Sequence, residues 1–214
     1  YSEELKKRKV VEPLKYGLPA LDYITGGIRR QELTTVSARP GIGKTAFAWQ
    51  VAFNLSLKKH KVQFYPLEMA GFQLMERLVC RETGIKGEKL KTPAKMSADD
   101  EALLENFFGL YGVTVKEHIN VIEGVRTLAE IKRHITHYRP EVVIIDQLTQ
   151  LRENKRFNSI REQFSYMTNT LKAMTMELDV PIILLAQINR GGDGKEPTLG
   201  DLKESGSIEE DSDN

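Results

Sequence analysis

The sequence predicts an α/β domain, a mostly parallel sheet with helices on both faces. Three observations predict it. Strand-like and helix-like segments alternate along most of the chain. Two of the strands, EVVIID (141–146) and VPIILLAQ (180–187), are continuous apolar runs, as strands covered on both faces must be. A third, LTTVSA (33–38), leads into a glycine loop and then a helix, the order in which a sheet presents a phosphate-binding turn.

Taken in order, residues 1–12 (YSEELKKRKVVE) are basic and polar and read as the end of an interdomain linker, closed by Pro13. Residues 13–214 read as one domain, incomplete at its C-terminal end. YGLPALDYITGGI carries turn residues at Gly17, Pro19, Gly26 and Gly27. LTTVSA is rich in β-branched residues. After the glycine loop, Phe47, Val51, Ala52 and Leu55 keep helical spacing. KVQFYPL (61–67) alternates as a strand does, and GFQLMERLVCRETG reads as a helix up to Gly84. SADDEALLENFF (97–108) opens on a capping box, Ser97 with Asp100, and places acidic residues in the first helical turn. HINVIEG holds a short strand. Thr127 and Glu130 form a second capping box before a helix that ends near Tyr138. Ile160, Phe164, Met167, Leu171, Met174 and Leu178 make one stripe on a long helix. ESGSIEEDSDN is acidic and has no closing strand.

Composition narrows the function classes. The chain has 214 residues, 40% of them hydrophobic and 29% charged, which fits one globular domain. A net charge of +1 names no partner, so a nucleic-acid site would have to concentrate its basic groups locally. No apolar run spans a bilayer and no secretory leader is visible, so no membrane partner is expected. The single cysteine, Cys80, rules out an internal disulfide and suits a reducing cytoplasm; among apolar helix residues it reads as packed and inert. His134 and His137 are three apart, but no third ligand clusters with them, so zinc is not expected. A first residue of Tyr1 predicts a fragment of something longer.

The chemistry begins at ARPGIGKTAF (38–47), one residue away from the signature G-x-x-x-x-G-K-S/T, with Ala38 at the first glycine. Arg39, Pro40, Gly41, Ile42, Gly43, Lys44, Thr45 and Ala46 form the candidate ATP-binding segment. Backbone N–H groups from Gly41 to Thr45 can point inward together at a helix N-terminus, where the dipole favours an anion. Lys44 can reach the β- and γ-phosphates, and the Thr45 hydroxyl can ligate Mg2+. Ala38 lies upstream of the atoms nearest phosphate, and alanine is tolerated there at negative φ. Three further polar residues end strands: Glu68, Asp146 and Gln187. In an open parallel sheet all strand C-termini share one edge, where ligands bind. Asp146, after four apolar residues, suits a Mg2+-holding acid; Glu68 can take a proton from an attacking water; Gln187 can contact a γ-phosphate. Two also have a plainer reading: a helix cap or turn residue for Asp146 and a solvated strand end for Glu68; Gln187 carries little signal by itself.

TGGI (25–28), ARPGIGKTAF, PLEM (66–69), VVIIDQLTQL (142–151), LLAQINR (184–190) and DLKESGSIEED (201–211) together resemble, in order, the motifs of the DnaB-type replicative helicase in its RecA-like C-terminal ATPase domain. GIGKT alone occurs across many P-loop NTPases; PLEM followed much later by ESGSIEED is far more specific. Alanine at position 38 is usual in that family. Bacterial and phage-encoded members look alike at this level.

The resemblance implies a homo-hexameric ring that hydrolyses ATP, moves along single-stranded DNA and separates the duplex in the cytoplasm of a bacterial cell or phage-infected host. It implies a catalytic role for Lys44, with Glu68 the catalytic glutamate, Asp146 and Thr45 the Mg2+ residues, and Gln187 the γ-phosphate sensor. It implies DNA contacts from Lys203, Glu204 and Gly206 in KESG, and from two channel loops, RENKRFNSIR (152–161) with Arg161 and RGGDGKEP (190–197) with Arg190. Many members carry arginine where Lys203 stands; lysine keeps the charge and loses the bidentate geometry. Primase and a helicase loader are implied partners of a full-length protein, and the family's arginine finger is expected beyond Asn214. Two other readings stay open: a RecA-like switch or assembly ATPase without unwinding, of the clock or helicase-loader type, and a small-molecule kinase sharing only the loop.

Overall fold

The computed structural model describes residues 12–153, 155–187 and 212–213. Its elements, in chain order, are α1 (Pro19–Thr25), β1 (Leu33–Ala38), α2 (Lys44–Leu57), β2 (Val62–Pro66), α3 (Gly71–Thr83), α4 (Gly87–Lys91), α5 (Ala98–Phe107), α6 (Val113–His118), β3 (Ile119–Val121), α7 (Leu128–Tyr138), β4 (Val142–Asp146), α8 (Ile160–Leu178) and β5 (Ile182–Gln187). The five strands form one sheet in the order β1-β5-β4-β2-β3, every neighbouring pair parallel.

Successive side chains of a strand point to opposite faces, so β4 and β5 feed two cores. Ile144, Ile183 and Leu185 pack with Phe64, Val51, Leu55 and Leu78, beneath α2 and α3. Val143, Ile145, Ile182 and Leu184 pack with Ile131, Ile135, Met167 and Leu171, beneath α7 and α8. This double burial is why both strands carry no polar residue until their last position. Each of these side chains contributes roughly 1.5–3 kcal/mol of hydrophobic stabilisation.

Local chemistry sets the ends. Both expected capping boxes form: the Ser97 hydroxyl accepts from the Asp100 amide, and the Thr127 hydroxyl accepts from the Glu130 amide. Replacing either cap costs about 1 kcal/mol. Helix α3 stops at Gly84, which adopts φ 75°, a left-handed conformation that glycine takes without strain. The stripe on α8 buries Met167, Leu171 and Met174, whereas Ile160 is 64% exposed; it occupies the first helical position, before the helix meets the core.

Several elements depart from the sequence reading. The turn-rich segment before Gly26 contains a short helix, α1, started by Pro19. Helix α6 and the π-turn Phe108–Gly112 extend the helical run past Phe107. Cys80 is half-buried rather than fully packed; burial raises its thiol pKa, which keeps it protonated. Among the described residues no helix is long and apolar enough to cross a membrane.

Candidate nucleotide site

The C-terminal ends of the strands define one edge of the sheet. Gln187 of β5 lies opposite Ala38 of β1, and Asp146 of β4 lies opposite Pro66 of β2. Parallel pairing therefore brings the glycine loop, the residues after β2 and the ends of β4 and β5 to the same rim. A cleft of about 260 Å³ opens there, lined by Pro40, Gly41, Gly43, Lys44, Thr45, Glu68, Met69, Arg77, Asp146 and Gln187.

The loop geometry follows from its glycines. Gly41 has φ 79° and Gly43 φ 108°, both in the region where side chains are strained. A Cβ at either position would meet nothing within 4 Å, so backbone conformation, not internal packing, accounts for glycine. Ala38 is the last residue of β1 and is not among the positive-φ residues, so its side chain is tolerated. Gly43 caps α2 without a side-chain hydrogen bond, so the first amides of that helix have no intrahelical partner. The Lys44 ammonium donates to the Ala38 carbonyl at 3.1 Å. Arg39, Ile42 and Ala46 flank the cleft without lining it; Ile42 is 73% exposed.

Asp146 is the most unusual charged group of the site. Its residue is buried, and its Oδ2 is buried without a hydrogen-bond partner. Burial raises its pKa; a hydrogen bond from Thr45 opposes that, Glu68 adds to it, and Lys44 and Arg77 pull it back. An orphaned carboxylate oxygen beside a threonine hydroxyl is the hard-oxygen donor set that Mg2+ takes when phosphates supply the rest. Among the described residues no group of three His, Cys, Asp or Glu side chains could hold a metal alone.

Glu68 is exposed, two residues past the end of β2 rather than at its terminus. The Leu67 amide beside it donates to the Asp146 carbonyl at 2.6 Å, which ties the two strand ends together. Gln187 ends β5 with an exposed side chain, and its Oε1 accepts from Gln147 Nε2 at 3.4 Å. Gln147 follows Asp146 through a cis peptide and is buried.

Three residues at the rim escape the sequence reading. Arg77 and Met69 reach the cleft from α3 and its approach, and Gln147 contacts Gln187. Arg77 is six residues into a helix and had no local signal; the position of Gln147, directly after the strand-end aspartate, was a signal. Arg161 lies exposed in the first turn of α8, away from the cleft-lining set. Arg190, Lys203, Glu204 and Gly206 lie outside the described residues.

Comparison with known proteins gives the family of the chain. The family model of the DnaB-like helicase C terminal domain matches residues 13–214. The replicative DNA helicase DnaC of Bacillus subtilis (strain 168) is 34% identical over 221 residues, covering 99% of this chain and 48% of that protein. The replicative DNA helicase DnaB of Treponema pallidum (strain Nichols) is 32% identical over 202 residues, covering 92% and 45%. The chain thus spans about half the length of the curated relatives it matches. A solved ATPase domain superposes with TM-score 0.86 at 30% identity, covering all of this chain and 78% of that one. A structure of a DnaB-like replicative helicase and its interactions with primase superposes with TM-score 0.85 at 30% identity, covering all of this chain and 53% of that one. With this fold, this rim and these matches, the chain belongs to the DnaB-like helicase C-terminal domain family, on a RecA-like α/β fold.

Proposed function

We propose that the chain is the motor domain of a replicative DNA helicase, which hydrolyses ATP to move along single-stranded DNA and unwind duplex. The observation that carries this reading is the cleft at the strand ends, where Lys44, Thr45, Glu68, Asp146 and Gln187 converge from four segments.

In this reading the amides from Gly41 to Thr45 cradle the phosphates, and Lys44 neutralises the β- and γ-phosphates. Thr45 and Asp146 hold Mg2+, which when bound neutralises charge on the phosphate oxygens. Glu68, exposed at the cleft, accepts a proton from the attacking water. Gln187, in contact with Gln147, reports the presence of the γ-phosphate to the segments that follow β4 and β5. Arg77 adds a positive charge on the side of α3. Residues 1–12 act as the end of a linker, and residues 13–214 as the motor.

The mechanical partners follow from the family. Single-stranded DNA runs through a homo-hexamer, contacted by Arg161, Arg190, Lys203, Glu204 and Gly206. In a ring each subunit need supply only one or two phosphate contacts, which suits a chain of net charge +1. Primase and a helicase loader engage the full-length protein, in the cytoplasm.

The test is ATP hydrolysis with and without a single-stranded oligonucleotide, for the native chain and for Glu68→Gln. The native chain is expected to be stimulated by the oligonucleotide. Glu68→Gln is expected to keep ATP binding and to lose hydrolysis by roughly 10²–10⁴-fold, the range of general-base contributions. ATP turnover indifferent to DNA, with no DNA binding at low salt, would favour a switch or assembly ATPase instead.

A further inference from the structure

Glu68 sits on a short link, residues 67–70, that is held from both sides by one turn. That turn, residues 122–127, joins β3 to α7. Before Glu68, Arg126 Nη1 donates to the Leu67 carbonyl at 3.0 Å. After it, the Glu123 carboxylate accepts from the amide of Gly71, the first residue of α3. Ala70, at the helix cap, has no side-chain oxygen to offer, so the acceptor comes from 52 residues away. The approach is close: a Cβ at Gly71 would lie 3.0 Å from Val121 and 3.1 Å from the Glu123 carboxylate.

The same turn is fastened to the segment after β4. The Arg152 amide donates to the Arg126 carbonyl at 2.7 Å, and the Leu128 amide donates to Glu153 Oε1 at 2.9 Å. Arg152 and Glu153 open a stretch with basic groups at Arg152, Lys155, Arg156 and Arg161. Lys155 Nζ lies 4.7 Å from the ring centre of Tyr166 on α8, so this stretch is seated on that helix. A continuous set of hydrogen bonds therefore runs from a basic segment, through Arg126, to the peptide beside Glu68.

We propose that Arg126 is a positioning residue for Glu68, and that the 122–127 turn transmits displacement of the 152–161 segment to that carboxylate. The inference rests on the reading of Glu68 as the water-activating group. A guanidinium bonded to a carbonyl is a charge-assisted contact, stronger than a neutral one, and Arg126 is exposed, so its removal opens no cavity. Its effect falls on the placement of Glu68, and placement acts on turnover more than on nucleotide binding.

The experiment measures hydrolysis at varied ATP concentration, with and without a single-stranded oligonucleotide, for the full chain carrying Arg126→Ala, Arg126→Lys or Glu68→Gln. Arg126→Ala is expected to lower kcat roughly ten- to a hundredfold, the scale of a misplaced catalytic group, with KM for ATP unchanged. It is also expected to abolish stimulation by the oligonucleotide. Arg126→Lys, which still offers a cationic donor to one carbonyl, is expected to recover most of both. Should Arg126→Ala fail to fold, Glu123→Ala, which releases the other end of the link, is expected to show the same split between kcat and KM. Native kcat and native stimulation in Arg126→Ala overturn the proposal, as does a rise in KM with kcat retained. If Glu68→Gln hydrolyses ATP at the native rate, the reading of Glu68 falls and this inference with it. If Glu68→Gln is inactive while Arg126→Ala is normal, only the inference falls.

Discussion

The two edges of the sheet use the same residue types to opposite ends. At the edge where the strands begin, charged groups are matched to one another. Arg30 and Gln31 both donate to the Asp179 carboxylate, at 2.7 and 2.8 Å. Glu141 accepts from the Lys61 amide at 2.9 Å and lies 3.0 Å from the His60 ring nitrogen. At the edge where the strands finish, Asp146 keeps a buried oxygen without a partner, and two glycines adopt positive φ values that would strain any other residue. The carboxylates report the contrast. Hydrogen bonds from Gln31 and Arg30 lower the Asp179 pKa, whereas burial raises that of Asp146. One edge pairs its carboxylates within the fold; the other keeps a buried carboxylate oxygen unpaired.

Three substitutions break or sharpen that contrast. The largest effect is expected for Lys44→Ala. Losing a charged donor on a polyphosphate should weaken ATP binding by ~2 kcal/mol, about thirtyfold by calorimetry, while leaving the melting temperature of the ligand-free chain in place. A drop in ligand-free stability of the same size would mean that the rim, too, is structural.

Next comes Asp146→Asn. The raised pKa of Asp146 means that folding disfavours its ionised form relative to the unfolded chain, an effect that sets in above the ordinary carboxylate range. A neutral isostere should therefore raise ligand-free stability by about 1 kcal/mol in denaturant titrations, while hydrolysis is lost. A destabilised variant would show that the carboxylate is already compensated by its neighbours.

The smallest effect is expected for Arg30→Ala, in an exposed ion pair worth at most about 1 kcal/mol. Because the Asp179 pKa is lowered by folding, its contribution is present above the ordinary carboxylate value of about 3.9 and is lost as pH falls through its own lower value. Removing Arg30 should move that loss to higher pH in acid-unfolding curves and leave ATP affinity untouched.

Much of this contrast was legible in the residues themselves. The apolar runs at 142–145 and 182–186 named the central strands, because burial on both faces leaves no room for alternation. Their terminal polar residues, Asp146 and Gln187, named the edge. Ser97 with Asp100 and Thr127 with Glu130 named two helix starts, because a cap is a local hydrogen bond that needs nothing from the rest of the chain. What was not legible is what depends on distant pairing. Arg77 reaches the cleft only because α3 leaves β2 at the angle it does, and Arg126 meets Leu67 only because β2 and β3 are neighbours. Helix α1 was hidden behind Pro19, Gly17 and Gly26, residues that mark turns yet here begin and end one short helix.

The five strands among the described residues run in one direction, so the segments at the finishing ends of β1, β2, β4 and β5 open onto the same hollow. Lengthening any one of those connections would graft a new finger beside that cleft without disturbing either packed layer. A lineage can in this way acquire new contacts at that edge while the layers underneath keep their shape.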